Sequence, residues 1–499
     1  MRRVFTLRLA LIVAALCLVA GAVTGILVRG RLVALALDRT LTAQGATDVS
    51  FAVARATPWS VVVADLGFKL AAQTFGAKRI TLAREHWWTP SLGTVNVEQA
   101  RVPVNLDWLV AEKPDKVGKE APAQSLAAAV SKVPLQGISF DGQIILQAGG
   151  LPDQTLTVKF AARQAQPDIW TAETELSGPG LAATGSARLD IANDDLEFKV
   201  PSLRLEAKTW QAFVEHITPL PAGPWDLSGT LTADLNGSYR QGKFVAAGHV
   251  HLRDGRIGYT TAGIVADGVE ADVEFADAVR FVTKPGKVRI RELQTPKVLF
   301  TEINAEVALT GPDRISVSQF SAKTLEGTIS TEPFDYLPSS DELAAVVMVD
   351  GISAERVMAL TQDLPARVSG RLSGRLPVHF DAKGLRFGTG WLGVQPGSTA
   401  ELQLHAAGLL TAGASPKSPS YAVLQKVESG LLQLNVTELR LDIRPPNSPE
   451  GRSAQLHVAG QPVDPTVKVP VVLDLNVNGP VEALLNLGMK SGISLGTKP

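Results

Sequence analysis

The chain has 499 residues, with 48 Lys and Arg against 49 Asp and Glu and a net charge of −1 at pH 7. With no basic excess to neutralise phosphates, the composition does not favour a nucleic-acid partner. The length exceeds what one compact core usually holds, which predicts either two or three domains or one extended repeat structure. Cys17 is the only cysteine, so an intramolecular disulfide is excluded.

The first predicted element is an uncharged run at Leu9–Val28, which is long enough to cross a bilayer as one helix. Three arginines within residues 1–8 favour an N-inside orientation, so the remainder of the chain is expected to be exported. Cleavage as a signal peptide at Ala20-Gly21-Ala22 is an alternative to a permanent anchor. A lipoprotein is disfavoured because Leu16 precedes Cys17 where a small residue is required.

After a short predicted helix at Leu32–Gln44, with Gly45 as its C-cap, the dominant period of the sequence is two. Apolar and polar residues alternate, as in Leu156 to Phe160 and in Leu439 to Ile443. This period places the apolar side chains on one face of a strand and the polar side chains on the other. Turn-forming pairs separate the strands, at Gly149-Gly150, Asn193-Asp194, Asn236-Gly237, Asp254-Gly255 and Asn478-Gly479. The pattern predicts a mainly β chain built as a long series of hairpins.

A few short helices interrupt the predicted strands. They are placed at Ser125–Lys132, Thr209–Ile217, Ala354–Gln362, with Ser353 as N-cap, and Val481–Met489. The predicted organisation is a cytoplasmic tail (1–8), an anchor helix (9–28), a membrane-proximal region (29–110), a linker (111–122), a central β-repeat region (123–350) and a C-terminal β domain (351–499). Further linker-like patches lie at 413–420 and 444–452.

An internal echo favours a repeat structure. Leu227–Leu235 and Val368–Leu376 each follow a predicted helix and share the pattern apolar-Ser-Gly-x-Leu. Such self-similarity is typical of arrays that stack one supersecondary unit.

Two glycine-rich motifs resemble nucleotide-binding sites, but the residues that follow them do not fit this function. Gly237–Lys243 resembles a phosphate-binding loop, but Phe244 replaces the hydroxyl residue that would hold magnesium, so a hairpin turn is preferred. Gly388-x-Gly390-x-x-Gly393 matches the dinucleotide fingerprint, but Pro396-Gly397 follow where a helix should begin.

Metal and hydrolase chemistry have equally weak sequence support. His249 and His251 share one predicted strand face, but no third ligand lies at a recognisable spacing. The sequence also lacks the Gly-x-Ser-x-Gly elbow of Ser-His-Asp hydrolases. We therefore predict no catalytic residue, no cofactor and no metal site, and we do not expect an enzyme.

The candidate functional feature is the apolar face that the alternating strands share. No long amphipathic helix is available to cover it, so it either closes into an all-β core or lines a trough that holds something apolar. Periodicity alone leaves both interpretations open. The residues predicted to line such a trough are Leu156, Val158, Phe160, Leu196, Phe198, Val200, Val273, Phe275, Leu402, Leu404, Leu434, Leu439, Leu441, Leu473 and Leu475.

Three stretches carry a family resemblance: Gly351–Gly397, which contains SGRLSGRLPV at Ser369–Val378, the strand series Val288–Gly327, and the closing stretch Leu473–Leu485. In these the chain resembles the YdbH family of AsmA-like envelope proteins, whose C-terminal domain is also called the dicarboxylate transport domain. The resemblance implies an elongated, twisted β-groove of stacked antiparallel strands with an apolar lining. It also implies passive movement of phospholipid between inner and outer membranes, which supports outer-membrane integrity.

The resemblance further implies partners and a location. Leu9–Val28 would anchor the chain in the bacterial inner membrane as a single span, with the bulk in the periplasm and phospholipid acyl chains in the groove. The open groove edge or the Val481–Pro499 segment is the geometrically reasonable contact for an outer-membrane protein or lipoprotein partner.

Two alternative functions stay open at this point. One is a structural envelope scaffold, in which the apolar faces bury each other. The other is a dicarboxylate-binding protein, which requires converging cations. Arg367, Arg371 and Arg375 are expected on one strand at intervals of about 13 Å, too far apart to clamp one small dianion.

Overall fold

The computed structural model describes residues 30–57, 59–70, 73–84, 92–107, 135–217, 225–240, 243–340, 342–360, 366–381, 384–395, 398–404, 411, 415, 417–445, 454–465, 467 and 469–477. Hydrogen bonding assigns the 27 described strands to one sheet, accompanied by a few short helices. The prediction of a mainly β, mainly antiparallel chain is therefore confirmed. Two compact units divide the chain, one formed by 1–219, 230–251 and 275–279, the other by 220–229, 252–274 and 280–499.

The first unit begins with a helix and continues as strands. Its elements are α1 (Gly30–Ala43), β1 (Thr47–Ala56), β2 (Ser60–Leu70), β3 (Gln73–Ala83), β4 (Leu92–Asn105), β5 (Leu135–Gln147), β6 (Gln154–Gln166), β7 (Ile169–Gly178), β8 (Leu181–Asp190), β9 (Asp195–Glu206) and α2 (Ala207–Ile217). Three long strands contribute residues to both units: β10 (Trp225–Arg240), β11 (Lys243–Tyr259) and β12 (Ile264–Asp277).

Consecutive strands of the first unit pair antiparallel from β1 to β4 and again from β5 to β10. The pair β4–β5 is parallel, from Leu92 opposite Leu135 to Asn105 opposite Gln147. The expectation of a continuous hairpin series is wrong at this point, because parallel neighbours need a crossover connection. The predicted linker (111–122) and the predicted helix Ser125–Lys132 both lie outside the described residues.

The second unit contains shorter strands. Its elements are β13 (Val282–Thr283), β14 (Gly286–Gln294), β15 (Leu299–Gly311), β16 (Arg314–Thr324), β17 (Gly327–Thr331), β18 (Phe334–Tyr336), β19 (Leu343–Ser353), α3 (Ala354–Met358), β20 (Ala366–Val368), β21 (Arg371–Asp381), β22 (Gly384–Phe387), β23 (Gly390–Val394), β24 (Ala400–Leu404), α4 (Tyr421–Leu432), β25 (Gln433–Ile443), β26 (Ala454–Pro462) and β27 (Val471–Val477).

Pairing in the second unit often skips a strand. The main series runs β12–β14–β15–β16–β17–β19–β21–β23–β25–β26–β27. Short strands pair beside it, with β13 on β15, β18 on β16, β22 on β21, and β20 on β24, which itself pairs with β25. The pairings described in this unit are all antiparallel.

The helix predictions are confirmed in part. α2 begins two residues before the predicted Thr209, and α3 has the predicted cap, because Ser353 Oγ accepts a hydrogen bond from the Arg356 amide at 3.3 Å. α3 ends at Met358, earlier than predicted. α4 was not predicted, and the predicted helix Val481–Met489 lies outside the described residues.

Two of the predicted turns are wrong. Asn236-Gly237 and Asp254-Gly255 lie inside β10 and β11, although Gly149-Gly150 and Asn193-Asp194 do form turns. A Cβ atom at Gly237 would come within 2.5 Å of the Phe198 ring, so this glycine permits close approach of a neighbouring side chain rather than chain reversal. Asn478-Gly479 lies outside the described residues.

The two copies of the repeated sequence pattern share a backbone conformation. Gly229 and Gly370 occupy the same position of the repeated pattern, and their φ angles are +121° and +116°. Residues that carry a side chain rarely adopt this backbone conformation, so both copies require glycine at this position.

Buried apolar side chains form a separate cluster at each of three places. The first cluster joins Leu37 and Leu41 of α1 to β2–β5, and we define it by Leu37, Val63, Phe68, Ile80 and Val95. A small cluster lies beneath α2, and a third, the C-terminal cluster, surrounds Leu434 in the second unit.

Candidate functional site

In the first unit, the apolar residues of β6–β9 meet in register on one face of the sheet. Val158 pairs with Leu176, Leu176 with Ala183, and Ala183 with Leu203. Since directly opposite residues point to the same side, these four side chains form one row across four strands. Leu176 and Leu203 lie on this face but are not among the predicted lining residues, although they obey the same alternation.

Six of the predicted lining residues lie on this face. They are Leu156, Val158 and Phe160 on β6, and Leu196, Phe198 and Val200 on β9. Leu156 is buried, whereas the other five are half-buried and alternate with exposed neighbours. We call Val158, Phe160, Leu196, Phe198 and Val200 the open face.

Aromatic side chains define the two sides of the open face. Phe160 pairs with Phe140, which packs against the first cluster. Phe198 pairs with Ala187 and stacks on Phe244 with ring centroids 5.4 Å apart. Between these two sides, apolar residues lie opposite Val158 and Phe198, whereas Thr174 lies opposite Phe160. The open face remains accessible to solvent in part.

Helix α2 covers one end of the same sheet face. Trp210 and Phe213 are 7% and 3% exposed, and they pack against Leu156, with Leu176, Leu181 and Leu205 at the margin. The spacing of three residues between Trp210 and Phe213 was the sequence signal for this contact. This helix was predicted, but a role in covering the sheet was not.

Polar contacts hold α2 at the covered end. The indole Nε1 of Trp210 donates to the Pro179 carbonyl at 3.0 Å. His216 Nε2 lies 3.0 Å from Asp107 Oδ1, which also accepts a 2.8 Å bond from the Gly149 amide. The hydrogen bond from the Gly149 amide is the main cause that lowers the pKa of the Asp107 carboxyl below its usual value of 3.8. The hydrogen bond with His216 lowers this pKa further.

The two predicted lining residues on β12 are half-buried. Val273 belongs to the second unit and lies against Gly286 of the paired β14, while Phe275 belongs to the first unit.

The remaining predicted lining residues belong to the C-terminal part of the second unit. Leu402 pairs with Leu434, Leu439 pairs with Val458, and Val458 with Leu473. A register shift between Val436 and Glu438 keeps Leu434 and Leu439 on one face despite their odd spacing.

Burial divides these C-terminal residues into two groups. Leu402, Leu434 and Leu439 are buried, with Leu434 0% exposed. Leu404, Leu441 and Leu473 are half-buried, and Leu475 at the described end of β27 is 46% exposed. Leu404, Leu441 and Leu473 pack against the buried C-terminal cluster, so among these seven predicted lining residues only Leu475 is exposed.

The arginines considered for dicarboxylate binding have other partners. Arg375 pairs with Glu332 at 3.0 Å, and Arg371 donates to the Glu326 and Gly351 carbonyls as well as pairing with the Glu326 carboxylate. Arg367 lies on β20, a different strand. The arginines do not share one strand as expected, and two of them are neutralised by glutamates.

The nucleotide-binding motifs occupy strands. Gly237–Arg240 complete β10 and Lys243 begins β11, where a phosphate-binding loop would need a helix. Gly390 and Gly393 lie in β23. The rings of His249 and His251 are parallel, with centroids 6.3 Å apart, as expected for one face of a strand.

Within the described residues, every helix is too short or too polar to span a bilayer. The predicted anchor Leu9–Val28 lies outside them.

These features define a class: β-rich proteins that hold an extended apolar surface on a long antiparallel sheet. Residues 69–407 match the YdbH-like family, described as intermembrane phospholipid transport protein YdbH. Because the match covers more than half of the chain, this protein belongs to the YdbH-like family. Neither the curated proteins nor the solved structures gave a match.

Proposed function

We propose that the apolar sheet face carries phospholipid acyl chains passively while the polar head groups remain in water. The observation that carries this proposal is the open face, an apolar surface in register across paired strands that stays half-buried. Family membership, which implies intermembrane phospholipid transport, supports it independently.

The energetics favour such a ligand. Burial of apolar area contributes about 25 cal/mol per Å², so acyl chains prefer an apolar surface to water. The proposed contacts are non-directional and repeat from strand to strand, so a lipid can slide between similar positions without breaking one dominant interaction.

The proposal extends to the setting of the molecule. Leu9–Val28 anchors the chain in the bacterial inner membrane, and the remainder forms an elongated, twisted periplasmic groove. Phospholipid moves along it between the two membranes and supports outer-membrane integrity, with Val481–Pro499 next to an outer-membrane partner. The membrane-proximal region (29–110), the central β-repeat region (123–350) and the C-terminal β domain (351–499) together form this groove.

A structural scaffold is the second candidate, because the first cluster and the C-terminal cluster are closed cores. A scaffold would bury its apolar faces against each other and would purify without lipid. A small-dicarboxylate site is a weaker candidate, since Arg371 and Arg375 already pair with glutamates.

The test introduces one charge into the open face of the full-length chain. Phe160→Asp places a carboxylate on the apolar side of β6, whereas Thr157→Asp places one on its exposed side. Native mass spectrometry after extraction in mild detergent counts phospholipids per chain. We expect Phe160→Asp to lose copurifying phospholipid and Thr157→Asp to retain it.

A second pair repeats the test on β12. Phe275→Asp lies on a half-buried position, and the adjacent Ala276→Asp lies on the exposed side. We expect only Phe275→Asp to weaken the outer-membrane barrier in cells. A wild-type protein that purifies free of lipid, or a folded Phe275→Asp protein with unchanged lipid content and barrier, would favour the scaffold.

A further inference from the structure

The connection between β9 and β10 is longer than strand pairing requires. Glu206 of β9 pairs directly with Thr230 of β10, and hairpins close with two to about five residues. Here the chain inserts α2 between them. The helix is thus an addition to the sheet, and its contacts indicate why it is there.

The apolar side of α2 lies on the same sheet face as the open face. Trp210 and Phe213 pack on Leu156, which is two residues from Val158 and four from Phe160 along β6. Positions separated by two residues share one side of a strand. An acyl chain that moved along this face would therefore meet Trp210 and Phe213 in its path.

The attachment of α2 is polar at both ends. Near its start, Trp210 donates to the Pro179 carbonyl, and the Glu206 amide donates to the Gly180 carbonyl at 2.8 Å. At its end, the attachment is the Asp107–His216 pair, whose side chains are 46% and 25% exposed. Both side chains are partly exposed, so water can reach the pair and weaken it. Its loss would free the end of the helix while β5–β9 stay paired.

We infer that α2 is a displaceable cover, latched by Asp107 and His216, that competes with acyl chains for the covered end of the face. This inference rests on the proposed function, because it assigns a regulator to the same lipid surface. In the latched state Trp210 and Phe213 fill the space next to Leu156, Leu181 and Leu205. In the released state a phospholipid chain takes their place.

The experiment captures lipid at two positions of the full-length chain in native membranes. A photo-reactive amino acid replaces Leu181, beneath α2, or Phe198, on the open face, and mass spectrometry identifies phospholipid adducts. His216→Ala releases the latch, and His216→Gln keeps a hydrogen-bond donor as the matched control. We expect His216→Ala to raise capture at 181 by about threefold, since an exposed pair contributes little, and to leave capture at 198 unchanged.

A locked form tests the same inference from the opposite side. In a Cys17→Ala background, Asp107→Cys and His216→Cys are joined by a short reducible bis-maleimide, and protease resistance confirms the fold. Locking should abolish capture at 181, and reduction should restore it. Equal capture at 181 in the latched, released and locked forms would overturn the cover. Absence of lipid at both 181 and 198 would instead overturn the proposed function, and the cover with it.

Discussion

Two stacked phenylalanine pairs in the first unit have nearly the same geometry and different surroundings. The rings of Phe68 and Phe75 lie 5.3 Å apart at 8°, and those of Phe198 and Phe244 lie 5.4 Å apart at 7°. Phe68 is 5% exposed, whereas Phe198 is half-buried.

The difference lies in what packs over each stack. Phe68 belongs to the first cluster, to which α1 contributes Leu37 and Leu41. Phe198 belongs to the open face and is not among the residues that pack under α2. Strands with the same period and the same aromatic pairing thus serve a closed core in one region and a partly open surface in another.

The largest expected effect is a difference between the two stacks in the stability that is lost when one phenylalanine is removed. Phe68→Ala should lower the local free energy of unfolding by about 3–5 kcal/mol, because it leaves a cavity in a closed core. Phe198→Ala should cost about 1–2 kcal/mol, since its ring is already partly in water. Hydrogen exchange of β2–β3 and β8–β9 peptides measures both values. Equal losses would show that the open face is as closed as the first cluster.

A smaller effect comes from adding volume instead of removing it. Ala100→Leu should cost about 1–3 kcal/mol, because a Cβ built on the opposite Gly142 already comes within 2.9 Å of the Ala100 Cβ. Ala187→Leu, opposite Phe198 on the open face, should change stability by less than about 0.5 kcal/mol. Thermal unfolding of the two variants provides the comparison. A destabilised Ala187→Leu protein would indicate that no space exists for a ligand.

The smallest effect concerns the turns of the two regions. The Asn193 side chain and amide hold the pKa of Asp190 below 3.8, with bonds of 2.9 and 3.1 Å to the carboxylate. Because the folded pKa is lowered, the stabilisation is present above 3.8 and is lost as the pH falls through the lower, folded value. The turn at Thr57 and Ser60 is held by hydroxyl groups and should not respond.

NMR of protein labelled at asparagine and serine tests this difference, because Asn193 reports on one turn and Ser60 on the other. The Asn193 amide should shift with a midpoint below 3.8, and Asp190→Asn should remove the shift. A midpoint at or above that value would mean that the turn bonds do not favour the carboxylate.

The strand pattern could be predicted because alternation depends only on neighbouring residues. This is why the six predicted lining residues of β6 and β9 share one face. Their burial could not be predicted, since it depends on distant elements such as α1 and α2. Leu434 and Leu156 lie in strands with the same alternation as the strand of Phe198, yet both are buried.

Other errors have local causes. Asn-Gly at 236–237 is a strong hairpin signal, but Gly237 is needed for close packing beside Phe198 within β10. α4 was not predicted because the segment before it is rich in Pro and Ser. Tyr421 and Leu424 are nevertheless three residues apart, which is a helical spacing of apolar residues. The parallel pair β4–β5 has no sequence signal in alternation, since period two is the same for both strand directions.

The parallel pair β4–β5 also has a consequence for the order in which the chain folds. Strands β1–β4 are joined by hairpins and can pair as soon as they are synthesised, so contacts of short sequence separation form first. The edge of β4 then stays unpaired until β5, which begins at Leu135, is available. During this interval the edge exposes unpaired amide and carbonyl groups that another chain could bind. We therefore expect the arrival of β5 to be the step at which misfolding competes most strongly with folding.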